Sequence, residues 1–161
     1  MVNFSSYTCP HCAAFALETE PLIDQTYVAT GKVLFTFMHS PFDPLAERAS
    51  QAAECAADQG AFWPYHRELM ARQRRLQSVA YDTSALAAIA EDLKLDPDRF
   101  LLDLGSGKQK ARVKASLEEG KRLGVTGVPA FFINDVKLVG NLPWEQFAGA
   151  IDAELRKSGR G

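Results

Sequence analysis

The sequence predicts an α/β fold in which a βαβ unit and a ββα unit share one sheet, with an all-helical insertion between the two halves. Three observations carry this. The apolar run Val2 to Phe4 leads into Cys9-Pro10-His11-Cys12, a helix-prone segment follows, and Lys32 to Met38 is β-branched and aromatic. Between residues 43 and 123 the pattern turns helical, with alanine-rich stretches and two Asp-Pro pairs. After Gly127, two short apolar runs flank Asn134-Asp135 and lead into an amphipathic segment. Strand, helix, strand closes a parallel pair, whereas two strands joined by a tight turn pair antiparallel.

Each element has its own signal. Ala13 to about Val28 reads as a helix with Phe15, Leu22 and Ile23 for a buried side, kinked by Pro21 and closed by Gly31. The run Lys32 to Met38 predicts a central strand covered on both faces. Asp43-Pro44 supplies an N-cap and a first-turn proline for a helix stopping at Gly60, and Phe62 to about Arg75 continues as a second. Asp82 or Thr83 caps a third helix, with Leu86, Ile89, Ala90 and Leu93 on one face. Asp96-Pro97 is read as a short turn around Phe100 and Leu101, and Ser106 or Gly107 as the start of a helix ending at Gly124. Ala130 to Ile133 and Val136 to Val139 form a hairpin about Asn134-Asp135. Beyond Gly140 to Pro143, a last helix buries Phe147, Ile151 and Leu155, and the basic tail from Arg156 to Gly161 frays.

With 161 residues, 47% of them hydrophobic, the chain has enough apolar surface for one core. One domain over 1–161 is expected, with 1–39 and 124–157 as the halves of the sheet unit and 43–123 as the insertion. A net charge of −2 argues against a general nucleic-acid surface, and no apolar run is long enough to cross a bilayer. Three cysteines are too few for a disulfide scaffold. The first strand starts at Met1, which suggests an upstream leader or strand outside this sequence.

The chemistry centres on residues 9–12. Two cysteines three positions apart at a helix start can close a disulfide across the first turn, while the unpaired amides and the dipole there favour a thiolate on the outer one. Cys9 is therefore the candidate attacking thiol and Cys12 the resolving one. His11 adds to this when its ring lies near the Cys9 sulfur, so the expected direction is a lowered Cys9 pKa. A structural zinc site needs four ligands, and the usual second cysteine pair is missing, with Cys55, His39 and His66 at no ligand spacing. No metal is assigned. An inert staple gains little from so tight a loop.

The second candidate stretch is Val128-Pro129, where proline at a strand entrance could be no more than an edge residue. Taken together, Cys9-Pro10-His11-Cys12 and Gly127-Val128-Pro129-Ala130-Phe131-Phe132-Ile133-Asn134 around a helical insertion resemble the DsbA-type thiol oxidases of the thioredoxin superfamily. The segment Gln59 to His66, with Cys55-Ala56-Ala57 before it, is similar to the same subgroup. The resemblance implies a thioredoxin fold, an exposed Cys9 and a less accessible Cys12. It also implies a cis Pro129 turning the N–H and C=O of Val128 towards an extended peptide, and transfer of a disulfide to reduced proteins with no cofactor beyond the dithiol. Partners would be reduced or unfolded proteins and a redox partner that resets the dithiol. The compartment would be the periplasm or cell envelope, the cytoplasm being the alternative.

Two residues depart from that family. Its buried acid, six positions before the first cysteine, is here Asn3, which cannot titrate. The cysteine that relatives pair with one like Cys55 is replaced by Phe100-Leu101-Leu102-Asp103, so Cys55 is expected to be a buried free thiol. His39 is read as structural or solvent-exposed rather than part of the site, His66, Trp63 and Phe62 as packing, and Arg67, Arg72, Arg74 and Arg75 as a solvated basic face. Gly105-Ser106-Gly107-Lys108 lacks the first glycine and the Ser or Thr of a phosphate loop. The functional reading is a disulfide donor acting through a mixed disulfide on Cys9. The alternatives are a reductase or isomerase on the same fold, a peptide-binding or chaperone-like module, and a zinc-binding module.

Overall fold

The computed structural model describes residues 1–76 and 81–159. Its sheet has the order β2-β1-β3-β4, with β1 Val2–Ser5, β2 Thr36–His39, β3 Ala130–Ile133 and β4 Val136–Val139. β1 runs parallel to β2 and antiparallel to β3, and β3 pairs antiparallel with β4. The strand that ends before the CPHC motif is thus interior, with hydrogen-bonded neighbours on both sides.

The strand expected over Lys32 to Met38 is shorter and lies at an edge. Leu34 is 82% exposed, and β2 begins only at Thr36, with β1 as its one strand neighbour. The run is apolar for a different reason: Phe37 packs into the core cluster that also holds Cys12, and the Phe35 ring centroid lies 5.7 Å from that of Trp63. Side-chain hydrophobicity reports burial, not position within a sheet.

Seven helical stretches occur among the described residues. The first, α1, starts at Pro10 rather than Ala13 and is composite: Pro10–Ala14, Phe15–Thr19, Glu20–Ile23 and Asp24–Val28. The second and fourth pieces are widened turns, and the Glu20 N–H donates to the Phe15 carbonyl five residues back. Pro21 lacks an N–H and crowds the turn before it, so the widened turns on either side replace a sharp kink. The others are α2 Pro44–Ala57, α3 Phe62–Leu76, α4 Thr83–Asp92, α5 Pro97–Ser106, α6 Lys110–Arg122 and α7 Trp144–Lys157.

Aspartates 43, 82 and 96 each cap a helix by accepting the N–H three residues on, at 2.8, 2.7 and 3.0 Å. The third cap opens a ten-residue helix, not a short turn. Ser106 closes it and Gly107, with φ +68°, is its left-handed cap, so neither opens the next helix. Gly124 ends α6 with φ +70°. Arg156 and Lys157 belong to α7 instead of a frayed tail, whereas Arg160, Gly161 and the side chains of Arg74 and Arg75 lie outside the described residues. Arg72 pairs with Asp92 at 2.6 Å, joining α3 to α4.

Two buried clusters meet at α1. Phe15, Ile23 and Tyr27 pack with Phe131, Ile133 and the α7 stripe Phe147, Ile151 and Leu155, the Phe15 and Phe131 ring centroids lying 4.4 Å apart. Cys12, Ala13 and Ala16 face the other cluster, which holds the alanines of α2 with Tyr65, Leu69, Met70, Leu86, Ile89 and Phe100. Gly120 lets α6 approach β1: a Cβ there would lie 3.1 Å from the ring of Phe4, which is fully buried and cannot give way. Gly120→Val is therefore expected to destabilise the chain by roughly 2–3 kcal/mol, overpacking outweighing the gain over glycine in a helix. An unchanged denaturant midpoint would contradict that packing.

Candidate active site

β1 delivers the chain to a buried loop, Ser6 to Thr8, that fixes where α1 begins. Thr8 Oγ1 donates to Asp43 Oδ2 at 2.6 Å, so the residue capping α2 also anchors this loop. The Tyr81 hydroxyl donates to the Tyr7 carbonyl, and Gln73 Nε2 donates to that of Thr8 at 3.4 Å. The Tyr7 hydroxyl meets His66 Nδ1 at 3.1 Å. These insertion residues hold the approach to Cys9, a role their positions in the sequence do not reveal.

Cys9 is the N-cap of α1, with φ −88° and ψ 117°, and Pro10 occupies the first helical turn, where its missing N–H costs nothing. The cap acceptor is sulfur: the Cys12 N–H donates to Cys9 Sγ at 3.3 Å. All three cysteines are free thiols. Cys9 is 6% exposed and Cys12 is fully buried, so the expected ranking holds but Cys9 is not openly exposed. The reason is the Val128 carbonyl, which accepts the Cys9 thiol at 3.7 Å instead of pointing to solvent. The Val128–Pro129 peptide is cis, Pro129 is buried, and its carbonyl accepts the Gly140 N–H at 2.8 Å.

The two thiols are driven apart in acidity. A hydrogen bond from the Cys12 thiol is the largest influence holding the Cys9 pKa at about 6; burial opposes it, the Cys12 and His11 N–H groups support it, and the His11 charge adds least. Pro10 and His11 are both exposed. Cys12 moves far above the ordinary thiol range, through burial first and then its hydrogen bond to, and the charge of, Cys9. The helix start and His11 are visible in the sequence, but the leading influence of Cys12 needs the packing that buries it.

Asn3 is buried; its Oδ1 accepts the Ser5 hydroxyl at 3.0 Å, and its Nδ2 has no partner among the described residues. Ser5 and the Ser6 N–H both interact with the Cys12 sulfur. Cys55 is buried and its thiol is pushed up to about 12 by burial and then by Asp103 and Asp58. Native-state alkylation near neutral pH is accordingly expected to label Cys9 and spare Cys55 until the chain is unfolded; mass spectrometry of the labelled peptides checks this. His39 is buried and structural: its Nε2 lies 2.8 Å from Glu54 Oε1, and Arg112 holds the other Glu54 oxygen at 2.6 Å, tying β2 to α2 and α6. Phe62, Trp63 and His66 pack around Phe35 and Phe37.

A family model described as thioredoxin matches residues 1–153. The chain belongs to the thioredoxin family. Its fold is similar to that of Chlamydia trachomatis DsbA, with a TM-score of 0.86 at 20% identity, covering 97% of this chain and 85% of that one. The oxidised BdbD structure from Bacillus subtilis is similar with a TM-score of 0.88 at 22% identity, covering 96% of this chain and 86% of that one. The probable disulfide bond formation protein D of Bacillus anthracis is 28% identical over 98% of this chain and 74% of its own length. A Na(+)/H(+) antiporter NhaA 3 of Salinispora tropica is 31% identical over 99% of this chain, yet that match occupies 24% of the antiporter. The chain thus spans about a quarter of the length of that relative. No helix among the described residues is long and apolar enough to cross a membrane.

Proposed function

We propose that this thioredoxin-family chain is a protein thiol:disulfide oxidoreductase that works as an oxidant, donating a Cys9–Cys12 disulfide to reduced proteins. The observation that carries the reading is the Cys9 sulfur at the helix N-cap, where the Cys12 thiol and two backbone N–H groups stabilise its anion. A client thiolate attacks Cys9 Sγ, the Cys9–Cys12 bond breaks, and Cys12 leaves as a thiolate that takes up a proton. A second client thiolate then attacks the client sulfur of the mixed disulfide. The client disulfide forms and Cys9 departs as a thiolate, so the client loses two electrons and the dithiol gains them. Stabilising that departing thiolate is what makes the disulfide a strong oxidant.

Pro10 shapes the first turn, and His11 contributes its backbone N–H and its charge to the Cys9 sulfur. Val128 has a second role whenever the Cys9 sulfur carries no proton, the mixed disulfide included: its carbonyl is then free to accept a client backbone N–H. Pro129 keeps Val128 at the mouth of the site through its bond to Gly140. In the same reading residues 1–161 act as one unit, 1–39 and 124–157 carrying the redox centre and 43–123 anchoring its approach. A redox partner restores the disulfide, and the setting is extracytoplasmic.

Equilibration with glutathione buffers tests the direction. The Cys9–Cys12 potential is expected on the oxidising side of about −200 mV, and a value near about −270 mV would assign the site to reduction instead.

A further inference from the structure

Cys12 is the thiol that the exchange sets free, yet it is fully buried. The position at which a carboxyl group would trade a proton with it is Asn3, which cannot titrate. An anion released there needs a hydrogen-bond donor from within the fold.

Strand β1 supplies one. Side chains alternate along a strand, and Phe4 lies against Gly120 of α6, so Asn3 and Ser5 share the opposite face. That face carries α1. Phe131, paired with Asn3 on one side, has its ring centroid 4.4 Å from that of Phe15, and Phe37, paired with Asn3 on the other, packs in the cluster that holds Cys12. The Ser5 hydroxyl donates to Asn3 Oδ1 at 3.0 Å, and both residues are buried. Ser5 also reaches the Cys12 sulfur. Burial, then the hydrogen bond and charge of Cys9, keep Cys12 protonated, and the Ser6 N–H and the Ser5 hydroxyl work against them. One hydroxyl proton thus has two acceptors, the amide oxygen and the sulfur. With all three cysteines as free thiols, the amide holds it. Asn3 Nδ2 has no partner among the described residues, so no bond fixes the amide in its present sense.

We propose that Ser5 is a catalytic residue of the exchange, its hydroxyl turning from Asn3 Oδ1 to the Cys12 sulfur as that sulfur is released. The proposal rests on the disulfide-exchange reading and adds a residue to it. A client thiolate bonds to Cys9 Sγ, the Cys9–Cys12 bond breaks, and its electron pair passes to Cys12 Sγ. Ser5 donates a hydrogen bond to the new anion and keeps its own proton, so this step consumes no acid. Asn3 follows by presenting Nδ2 to the Ser5 oxygen. It is a positioning residue, and an amide suits that place because it carries both a donor and an acceptor. A thiolate departs faster as its basicity falls, and a hydrogen bond to a charged group is stronger than one between neutral groups. When the dithiol is reset, the same bond favours the Cys12 thiolate that must attack.

Departure of Cys12 can be separated from departure of another thiol. Oxidised wild-type and Ser5→Ala chains are reduced by dithiothreitol, and loss of the Cys9–Cys12 disulfide is followed by acid quenching and mass spectrometry. Ser5→Ala is expected to react roughly tenfold more slowly. In a Cys12→Ser chain carrying glutathione on Cys9, Cys12 never leaves, and adding Ser5→Ala should leave the rate of glutathione release as it was. Asn3→Ala should slow reduction of the disulfide less than Ser5→Ala does and add little to it, because Asn3 acts through the hydroxyl. An unchanged rate in Ser5→Ala, or equal slowing of both reactions, would overturn the proposal. Losses that multiply in full in the double variant would remove Asn3 from it. A wild-type disulfide that dithiothreitol does not reduce at all would instead sink the oxidoreductase reading, and this proposal with it.

Discussion

A Cys9→Ser chain is expected to oxidise no reduced client above the uncatalysed rate, a loss of roughly 10³-fold or more, because a hydroxyl can neither hold the disulfide nor leave as an anion at neutral pH. Cys12→Ser has a different signature. Its Cys9 can still be driven into a mixed disulfide with a client, but no buried thiol remains to displace that client from within. The adduct should persist and appear as a covalent species on non-reducing gels. Cys12→Ser also removes the thiol that contributes most to the acidity of Cys9, so its remaining thiol should titrate higher than in the wild type. Client oxidation retained by Cys9→Ser would remove the mechanism outright.

The second large effect concerns stability. Cys9 ionises at about 6 in the folded dithiol form, against an ordinary value of 9.0. A group whose folded pKa is depressed stabilises the fold above its unfolded pKa and loses that contribution as pH falls through the folded one. The disulfide form has no such thiolate. The dithiol form should therefore gain on the disulfide form by about 1.4 kcal/mol at pH 7 and roughly 3 kcal/mol near pH 9, with nothing left below about pH 5. Cys12, held protonated by burial, works in the opposite sense once its unfolded counterpart ionises, so the gain stops growing near pH 9. Cys55 is a thiol in both forms and cancels. Denaturant unfolding of the two forms across this range checks the slope, which is insensitive to the constant entropic contribution of the disulfide loop. Parallel, pH-independent curves would contradict the thiolate argument.

Much of this was legible from residue spacing because it depends on the chain's local geometry. Cys9 and Cys12 three apart across a helix start, Asp43-Pro44 as a cap, and Asn134 with φ +50° in the hairpin all follow from local backbone preferences. What failed to show depends on distant packing. The edge position of β2 follows from which strands pair, and an apolar run such as residues 33–37 carries no record of that. Likewise Asp96-Pro97 announces a start without saying how far α5 extends, and Gly107 proved to be its end. At the site, the dipole and His11 could be anticipated, yet the leading hydrogen bond comes from a thiol buried in the core cluster that also holds residues of the insertion. The loop anchors Asp43, Gln73 and Tyr81 come from the insertion, and no motif marks them.

The most direct measurement is the pH profile of Cys9 alkylation in the reduced chain, followed by iodoacetamide under native conditions with Cys55 replaced by alanine. A rate that reaches half its plateau near pH 6 is the predicted result. A midpoint near the ordinary thiol value of 9.0 would mean that the helix N-cap and Cys12 leave the sulfur's acidity unchanged, and the assignment as an oxidant would fall with it.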